Sequence, residues 1–168
     1  MIIARLLLVA LLLVAARQQD PTTAFDVSSE SSLYDVRGRL TGTIRLEPSQ
    51  LTIVVKSGSV LAARPDSRIE VRAIIAGPSG TSWKKVGSSE PQVLGAFRAG
   101  ERHDVTDSLV FRISTPSGFE PQDHWLVFQF GRSDGSTTYA CSDRNLAGPD
   151  SLSARRAQQL RTFYPMAC

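Results

Sequence analysis

Two histidines, His103 and His124, are the side chains of this sequence best suited to acid–base chemistry near neutral pH. Asp104 follows His103 directly and Asp107 lies nearby, which resembles a fragment of an acid–base or metal-binding cluster. Neighbouring residues of a strand point to opposite faces, however, so His103 and Asp104 do not readily share one ligand. The pattern allows a hydrolase that uses acidic residues with His103 or His124, although surface histidines without a chemical role are far more common.

Three oxygen-bearing side chains, Asp143, Asn145 and Asp150, fall within one short segment and are candidates for holding a hard cation. The Asp-x-Asn spacing matches the start of a calcium-binding loop. Ala147 and Ala154 stand at the fifth and twelfth positions, where that loop needs oxygen ligands, so the full pattern fails. Turn formation and helix capping explain the same residues more simply. We therefore predict no bound metal and no cofactor.

Motifs of nucleophilic and nucleotide chemistry are absent from the sequence. It contains no Gly-x-Ser-x-Gly, no Gly-rich phosphate loop, no His-Glu-x-x-His and no paired-Cys zinc spacing. The 16 acidic residues offer many carboxylate pairs, but none stands out as the pair of a glycosidase. These observations favour a protein that is not an enzyme.

Trp83 is the aromatic side chain best placed to bind a sugar ring. It precedes Lys84 and Lys85 in a short polar segment, which favours exposure, whereas Trp125 lies inside an apolar run and is expected in the core. Exposed tryptophans can stack on the apolar face of a ligand. Trp83 is therefore the candidate binding residue of a carbohydrate-binding module, which we consider as an alternative function.

The chain contains two cysteines, Cys141 and Cys168. In an oxidising compartment two such residues most often pair, and no nearby residues have the spacing of metal ligands. A Cys141–Cys168 disulfide would tie the last residue of the sequence to a strand. It would add about 3–4 kcal/mol of stability in the chain-entropy model. We expect this disulfide to form.

The first residues have the pattern of a secretory signal peptide. One basic residue, Arg5, precedes an unbroken apolar run over residues 6–16, which ends in the small residues Ala15 and Ala16. The run is shorter than the roughly 20 residues that a membrane-spanning helix needs. We expect residues 1–16 to be cleaved, the mature protein to be secreted or periplasmic, and no membrane span to remain.

The formal net charge of +3 is mildly basic, from 19 basic and 16 acidic residues. Nearly all the basic residues are arginine, a bias that fits a GC-rich bacterial genome. Basic and acidic residues are interleaved without a clustered basic face, so we do not expect nucleic acid as a partner. A protein or a glycan is the partner class that we consider, and the sequence indicates no specific partner.

The clearest structural signal is a β-hairpin around the turn Asp134-Gly135. The run His124–Phe130 precedes this turn, and the run Thr137–Cys141 follows it. Both faces of the first run are largely apolar, which predicts a central strand that is covered on both sides.

Alternation of apolar and polar residues predicts further strands. From Tyr34 to Leu46 the even positions are apolar except for Gly38 and Gly42, where we expect a bend or bulge. About seven strands with turns between them are typical of an antiparallel β-sandwich, and a small closed β-barrel is the alternative. The number and pattern of strands resemble an immunoglobulin-like sandwich, but the paired-Cys and core-Trp signature of true immunoglobulin domains is missing.

The domain organisation follows from these patterns. We expect a flexible lead-in over residues 17–32, in which Phe25 and Val27 could add a short edge strand. A single β-sandwich domain then covers residues 33–168, with a C-terminal α-helix over residues 150–164. We predict an exported bacterial protein that serves as a non-enzymatic binding or structural module.

Overall fold

The computed structural model describes residues 22–29, 35–79 and 82–147. Within these ranges the chain forms nine β-strands and one turn of 3-10 helix, and every paired strand is antiparallel. The predicted antiparallel β class is confirmed, but the expected number of about seven strands is too low. The strands are β1 (Thr22–Ser29), β2 (Val36–Glu47), β3 (Gln50–Ala62), β4 (Asp66–Ser79), β5 (Ser82–Ser88), β6 (Gln92–Phe97), β7 (Arg102–Ser114), β8 (Trp125–Gly131) and β9 (Thr137–Asn145).

All nine strands belong to one open sheet. The hydrogen-bonded order is β5-β4-β8-β9-β1-β2-β3-β7, and β6 pairs with β4. Strand β5 pairs with the second half of β4 and β6 with its first half, so the two short strands follow one another along the same side of β4. The prediction of two stacked sheets is therefore wrong, because β1, β8 and β9 join the two halves of the structure into a continuous ladder.

The sheet curls around a single main core, and its two ends approach each other. Gln92 of β6 donates its side-chain N–H to the carbonyl of Val110 in β7. The ring of Phe97 in β6 stacks on His103 of β7 with 3.8 Å between the centroids. Among the described residues these end-to-end contacts involve side chains rather than a paired ladder, so the alternative of a closed barrel is also not observed. Fully buried side chains of this core include Phe111, Phe128, Phe130, Leu40, Ile53 and Ile69.

Glycines allow two close approaches between neighbouring strands in this sheet. A Cβ atom on Gly42 would lie 2.0 Å from the carbonyl oxygen of Val54, and one on Gly58 would lie 2.2 Å from that of Arg39. The β2–β3 register shifts between Thr41 and Gly42. Because Thr41 pairs with Ser57 and Gly42 with Val55, the extra residue of this bulge is Lys56 of β3. The expected irregularity is confirmed beside Gly42, whereas Gly38 pairs in regular register with Val60.

Strand β8 is central and covered on both faces, as its sequence predicts. It lies between β4 and β9, and the hairpin to β9 closes through the N–H of Arg132 and the carbonyl of Ser136, 3.0 Å apart. One face of β8 packs into the main core, and the other face forms a smaller apolar cluster with β4 and β5. In that second cluster Trp125 meets Trp83 edge to face, with 4.5 Å between ring centroids.

Strand β1 corrects the expected domain boundary. The residues Thr22–Ser29 lie within the predicted flexible lead-in, residues 17–32, yet they pair with β2 on one side and β9 on the other. Because β1 has a paired strand on each side, it is internal rather than at an edge of the sheet. Its side chains Phe25 and Val27 belong to the main core. The predicted signal peptide (1–16), the predicted helix (150–164) and Cys168 lie outside the described residues.

Candidate functional site

His103 lies at the start of β7, near the turn that follows β6. Its Nε2 donates to the carboxylate of Glu101, 3.0 Å away, and its ring stacks on Phe97. Glu101 also accepts a hydrogen bond from the backbone N–H of Arg98. The hydrogen bond from Arg98 and the one from His103 hold the pKa of Glu101 below its usual range. These contacts close a turn, and among the described side chains Glu101 is the acidic partner of His103.

His124 occupies the opposite end of the molecule. Its Nδ1 donates to the backbone carbonyl of Glu120, 2.6 Å away, and its ring lies next to Gly77 near the end of β4. His103, by contrast, stacks on Phe97, which pairs with Asp66 at the start of β4. A strand of this length separates the two histidines by roughly 30 Å. The structure therefore does not bring His103 and His124 into one site.

Trp83 is buried rather than exposed. Only 4% of its surface is accessible, because the ring packs on Trp125 in the second apolar cluster. The adjacent Lys84 is exposed, as the alternation of a strand requires. The expected exposure of Trp83 is therefore wrong, and in this structure its ring is not open to stacking on a sugar.

The candidate metal ligands are also placed differently from the prediction. Asp143 and Asn145 belong to β9 rather than to a loop, and Asp150 lies outside the described residues. The side-chain oxygen of Asn145 accepts a hydrogen bond from the N–H of Ala147, 3.1 Å away, which is a turn-forming contact. In the described ranges no group of three or more His, Cys, Asp or Glu side chains is arranged to hold a metal ion.

A buried ion pair joins three segments of the chain at one end of the sheet. Arg132, from the β8–β9 turn, lies 2.8 Å from the carboxylate of Asp66, and the two side chains are only 8% and 1% exposed. Asp66 also accepts hydrogen bonds from the N–H groups of Arg68 and Ser133. Nη1 of Arg132 lies 3.3 Å from the carboxylate of Asp35, which precedes β2. The β8–β9 turn is thus fastened to the chain segments before β2 and β4.

The surroundings of Asp66 keep its carboxyl group in the charged form. Burial raises the pKa of Asp66, but hydrogen bonds from Arg68, Ser133 and Arg132 outweigh burial and lower the pKa to about 2. A hydrogen bond from Arg64 likewise lowers the pKa of Asp35. Because each carboxylate is matched by a guanidinium and satisfied by hydrogen bonds, we assign this network to stability rather than to ligand binding.

A pocket of about 370 Å³ opens where β1, β2, β3 and β7 run side by side. We call it the arginine pocket. Among the lining residues that the structure describes, three are arginines and none is acidic, so this part of the lining is cationic. The residues that line it, together with Gly38, are Ser29, Arg37, Arg39, Ser59, Leu61 and Arg102.

Strand register explains why these arginines converge. Arg37 of β2 pairs with Leu61 of β3, and Leu61 pairs with Arg102 of β7. Residues paired across a sheet point to the same face. Arg37 and Arg102 therefore rise from the outer face of the sheet, two strand spacings or about 10 Å apart, with Leu61 between them.

Within the part of the chain that the structure describes, the buried Nε of Arg37 has no hydrogen-bond partner. The hydroxyl of Ser29 is also buried without a partner, but Ser29 pairs with Gly38 on the core side of the sheet, opposite Arg37. Arg102 donates to the hydroxyl of Ser59, 3.2 Å away, and this partner is neutral. Arg39 differs, because both arms of its guanidinium donate to the carboxylate of Asp26. Arg39 is thus paired with a carboxylate. Within the described structure, no carboxylate forms an ion pair with Arg37 or Arg102.

The arrangement offers hydrogen-bond donors and positive charge to a ligand. A buried donor without an acceptor is unfavourable, so the Nε of Arg37 favours any ligand that brings an oxygen atom to it. This site was not predicted from the sequence. The available signal was the position of Arg37 and Arg39 on the polar side of β2, but the sequence shows basic and acidic residues interleaved without a clustered basic face.

Comparison with known protein families and with curated protein sequences finds no match for this chain. In the described part of the chain, no helix is both long and apolar enough to pass through a membrane.

Proposed function

We propose that this chain is an exported bacterial protein that works as a non-enzymatic binding module and recognises its ligand in the arginine pocket. The observation that carries the proposal is the unpartnered Nε of Arg37 in a pocket lined by three arginines. The volume of about 370 Å³ falls within the range of roughly 300–1,000 Å³ that small-molecule sites occupy. Pockets of this kind bind by charge and hydrogen bonding.

The side chains of the arginine pocket support binding rather than catalysis. Arginine stays protonated in proteins and does not transfer protons, so Arg37 and Arg102 cannot serve as a general acid or base. The hydroxyl of Ser59 receives a hydrogen bond from Arg102, whereas an activated nucleophile would give its proton to a neighbouring base. The lining residues thus hold a charged group without the means to break its bonds.

Export is supported by two features of the sequence. Residues 1–16 have the pattern of a cleaved signal peptide, and the two cysteines, Cys141 and Cys168, suit a disulfide in an oxidising compartment. The proposed location is therefore the periplasm or the extracellular medium. Fractionation of bacteria that express the full chain, followed by intact mass measurement, tests this part. A retained N-terminus in the cytosolic fraction would contradict export.

The binding function is tested by titrating the purified protein with small anionic compounds in a calorimeter. We expect saturable binding at a stoichiometry of one, and Arg37→Ala should weaken it. Arg112→Ala is the matched control, because Arg112 is an exposed arginine on the outer face of the same strand as Arg102, about 30 Å along the strand. Equal weakening by both substitutions, or conversion of the bound compound into products, would contradict the proposal.

A further inference from the structure

The proposed binding function leaves the chemical class of the ligand open. We infer that the arginine pocket accepts the phosphate or sulfate group of a small organic monoester, an inference that rests on the proposed binding function. The ester oxygens lie between Arg37 and Arg102, and the organic part contacts Leu61.

The spacing of the two arginines requires a ligand that bridges them. They rise from strands β2 and β7, with β3 between, and their Cα atoms are about 10 Å apart. Two guanidinium groups repel each other, so their extended side chains cannot satisfy one another. An anion placed above Leu61 is within reach of both side chains, and it supplies the acceptor that the Nε of Arg37 lacks.

The number of donors favours a tetrahedral oxyanion over a carboxylate. A carboxylate is planar and is matched by a single arginine fork, as the pair Arg39–Asp26 in this same sheet illustrates. Arg37 and Arg102 approach from two different strands, and the hydroxyl of Ser59 adds a further group. A phosphate or sulfate group has three terminal oxygens in different directions and can accept from all of them.

The pocket is larger than the charged group alone needs. Its volume of about 370 Å³ leaves room beside the oxyanion, and among the described lining residues Leu61 offers a large apolar side chain. Leu61 is half-buried, so its remaining surface is open to contact. An organic substituent on the phosphate or sulfate covers this surface, which favours an ester over the inorganic ion.

The inference is tested by calorimetry with phenyl phosphate, phenyl sulfate and benzoate, each at the same ionic strength. These compounds share a ring and differ in the anionic group. We expect phenyl phosphate and phenyl sulfate to bind at least about tenfold more tightly than benzoate. Inorganic phosphate should bind more weakly than phenyl phosphate, because it makes no contact with Leu61.

Substitutions locate the binding. Arg37→Ala and Arg102→Ala should each weaken phenyl phosphate binding by about tenfold or more, while Arg112→Ala should bind as the wild type does. Arg37→Lys keeps the charge but removes the Nε donor, so it should recover only part of the affinity. The thermal unfolding midpoint of each variant shows that the fold is retained, and Arg37→Lys serves as the second variant if Arg37→Ala does not fold.

The outcomes separate the two proposals. Benzoate binding as tightly as phenyl phosphate, with both dependent on Arg37, would overturn the phosphate or sulfate assignment and leave the binding function standing. Absence of binding by all compounds, or hydrolysis of the esters, would overturn the binding function itself. Binding only to vesicles that contain anionic phospholipid, and not to phenyl phosphate, would overturn the assignment of a small ester and indicate a membrane surface as the source of the phosphate.

Discussion

The buried pair of Asp66 and Arg132 gives a quantitative prediction about stability. Asp66→Asn keeps the shape of the side chain and removes its charge, so it imitates the protonated carboxyl group. The pKa of Asp66 is about 2 in the folded protein, against 3.8 as its ordinary value. At about 1.36 kcal/mol per pKa unit, this difference corresponds to about 2 kcal/mol. We therefore expect Asp66→Asn to lower the free energy of unfolding by at least about 2 kcal/mol at pH 7.

The pH dependence of this effect has a definite sign. A folded-state pKa below the ordinary value means that Asp66 stabilises the fold above pH 3.8. That stabilisation is lost as the pH falls toward 2. The difference between the wild type and Asp66→Asn should therefore be fully present from about pH 5 upward and shrink by about 2 kcal/mol near pH 2. Solvent screens this carboxylate little, because only 1% of its side chain is exposed.

Urea unfolding followed by tryptophan fluorescence measures this difference, since Trp83 and Trp125 are both buried. Asp104→Asn provides the control, because Asp104 is an exposed carboxylate on β7 and its loss should change stability by less than about 0.5 kcal/mol. A variant Asp66→Asn as stable as the wild type at pH 7 would refute the reasoning. A stability difference that stayed constant from pH 7 to pH 2.5 would do the same.

Three further predictions concern packing and covalent structure. Trp83→Ala should lower the free energy of unfolding by about 3–5 kcal/mol in urea denaturation, because it empties a buried ring site, and a loss under 1 kcal/mol would contradict its burial. Gly42→Ala should lower the melting temperature, since its Cβ would lie 2.0 Å from the carbonyl oxygen of Val54, and an unchanged melting temperature would contradict that close approach. Alkylation of the exported protein without reductant should add no mass at Cys141 or Cys168, whereas two added groups would exclude the disulfide.

The local features of the fold were predictable from the sequence. The Asp134-Gly135 turn between two apolar runs predicts the β8–β9 hairpin, because such a turn suits only a tight reversal of the chain. The apolar character of both faces of Trp125–Gly131 predicts its central position. Alternation predicts which side of β2 faces the core, because side chains of successive strand residues point to opposite faces.

The order of the strands was not predictable in the same way. Periodicity shows that a segment is a strand, but it does not show which other strand it pairs with. The segment Thr22–Ser29 illustrates this limit, because its mostly polar composition suggests a lead-in, yet it pairs between β2 and β9 with Phe25 and Val27 in the core. That long-range pairing joins the expected two layers into one sheet.

The candidate site was missed for a related physical reason. Arg37 and Arg102 are far apart in the sequence, and only the pairing of β2, β3 and β7 brings them to one pocket. The prediction for Trp83 was wrong for the opposite reason. Its lysine neighbours along the chain indicated exposure, although Trp125 covers its ring in the folded protein. Local composition describes the neighbours of a residue along the chain, whereas burial depends on its neighbours in space.

The binding proposal is tested most directly by observing the side-chain Nε–H resonance of Arg37 by NMR while phenyl phosphate is added to the isotope-labelled protein. We expect this resonance to shift and saturate as the ester oxygen becomes its acceptor, while the Nε–H resonance of Arg112 stays in place. A resonance of Arg37 that does not move when the ester binds, or shifts of the same size at Arg112, would contradict the proposed site.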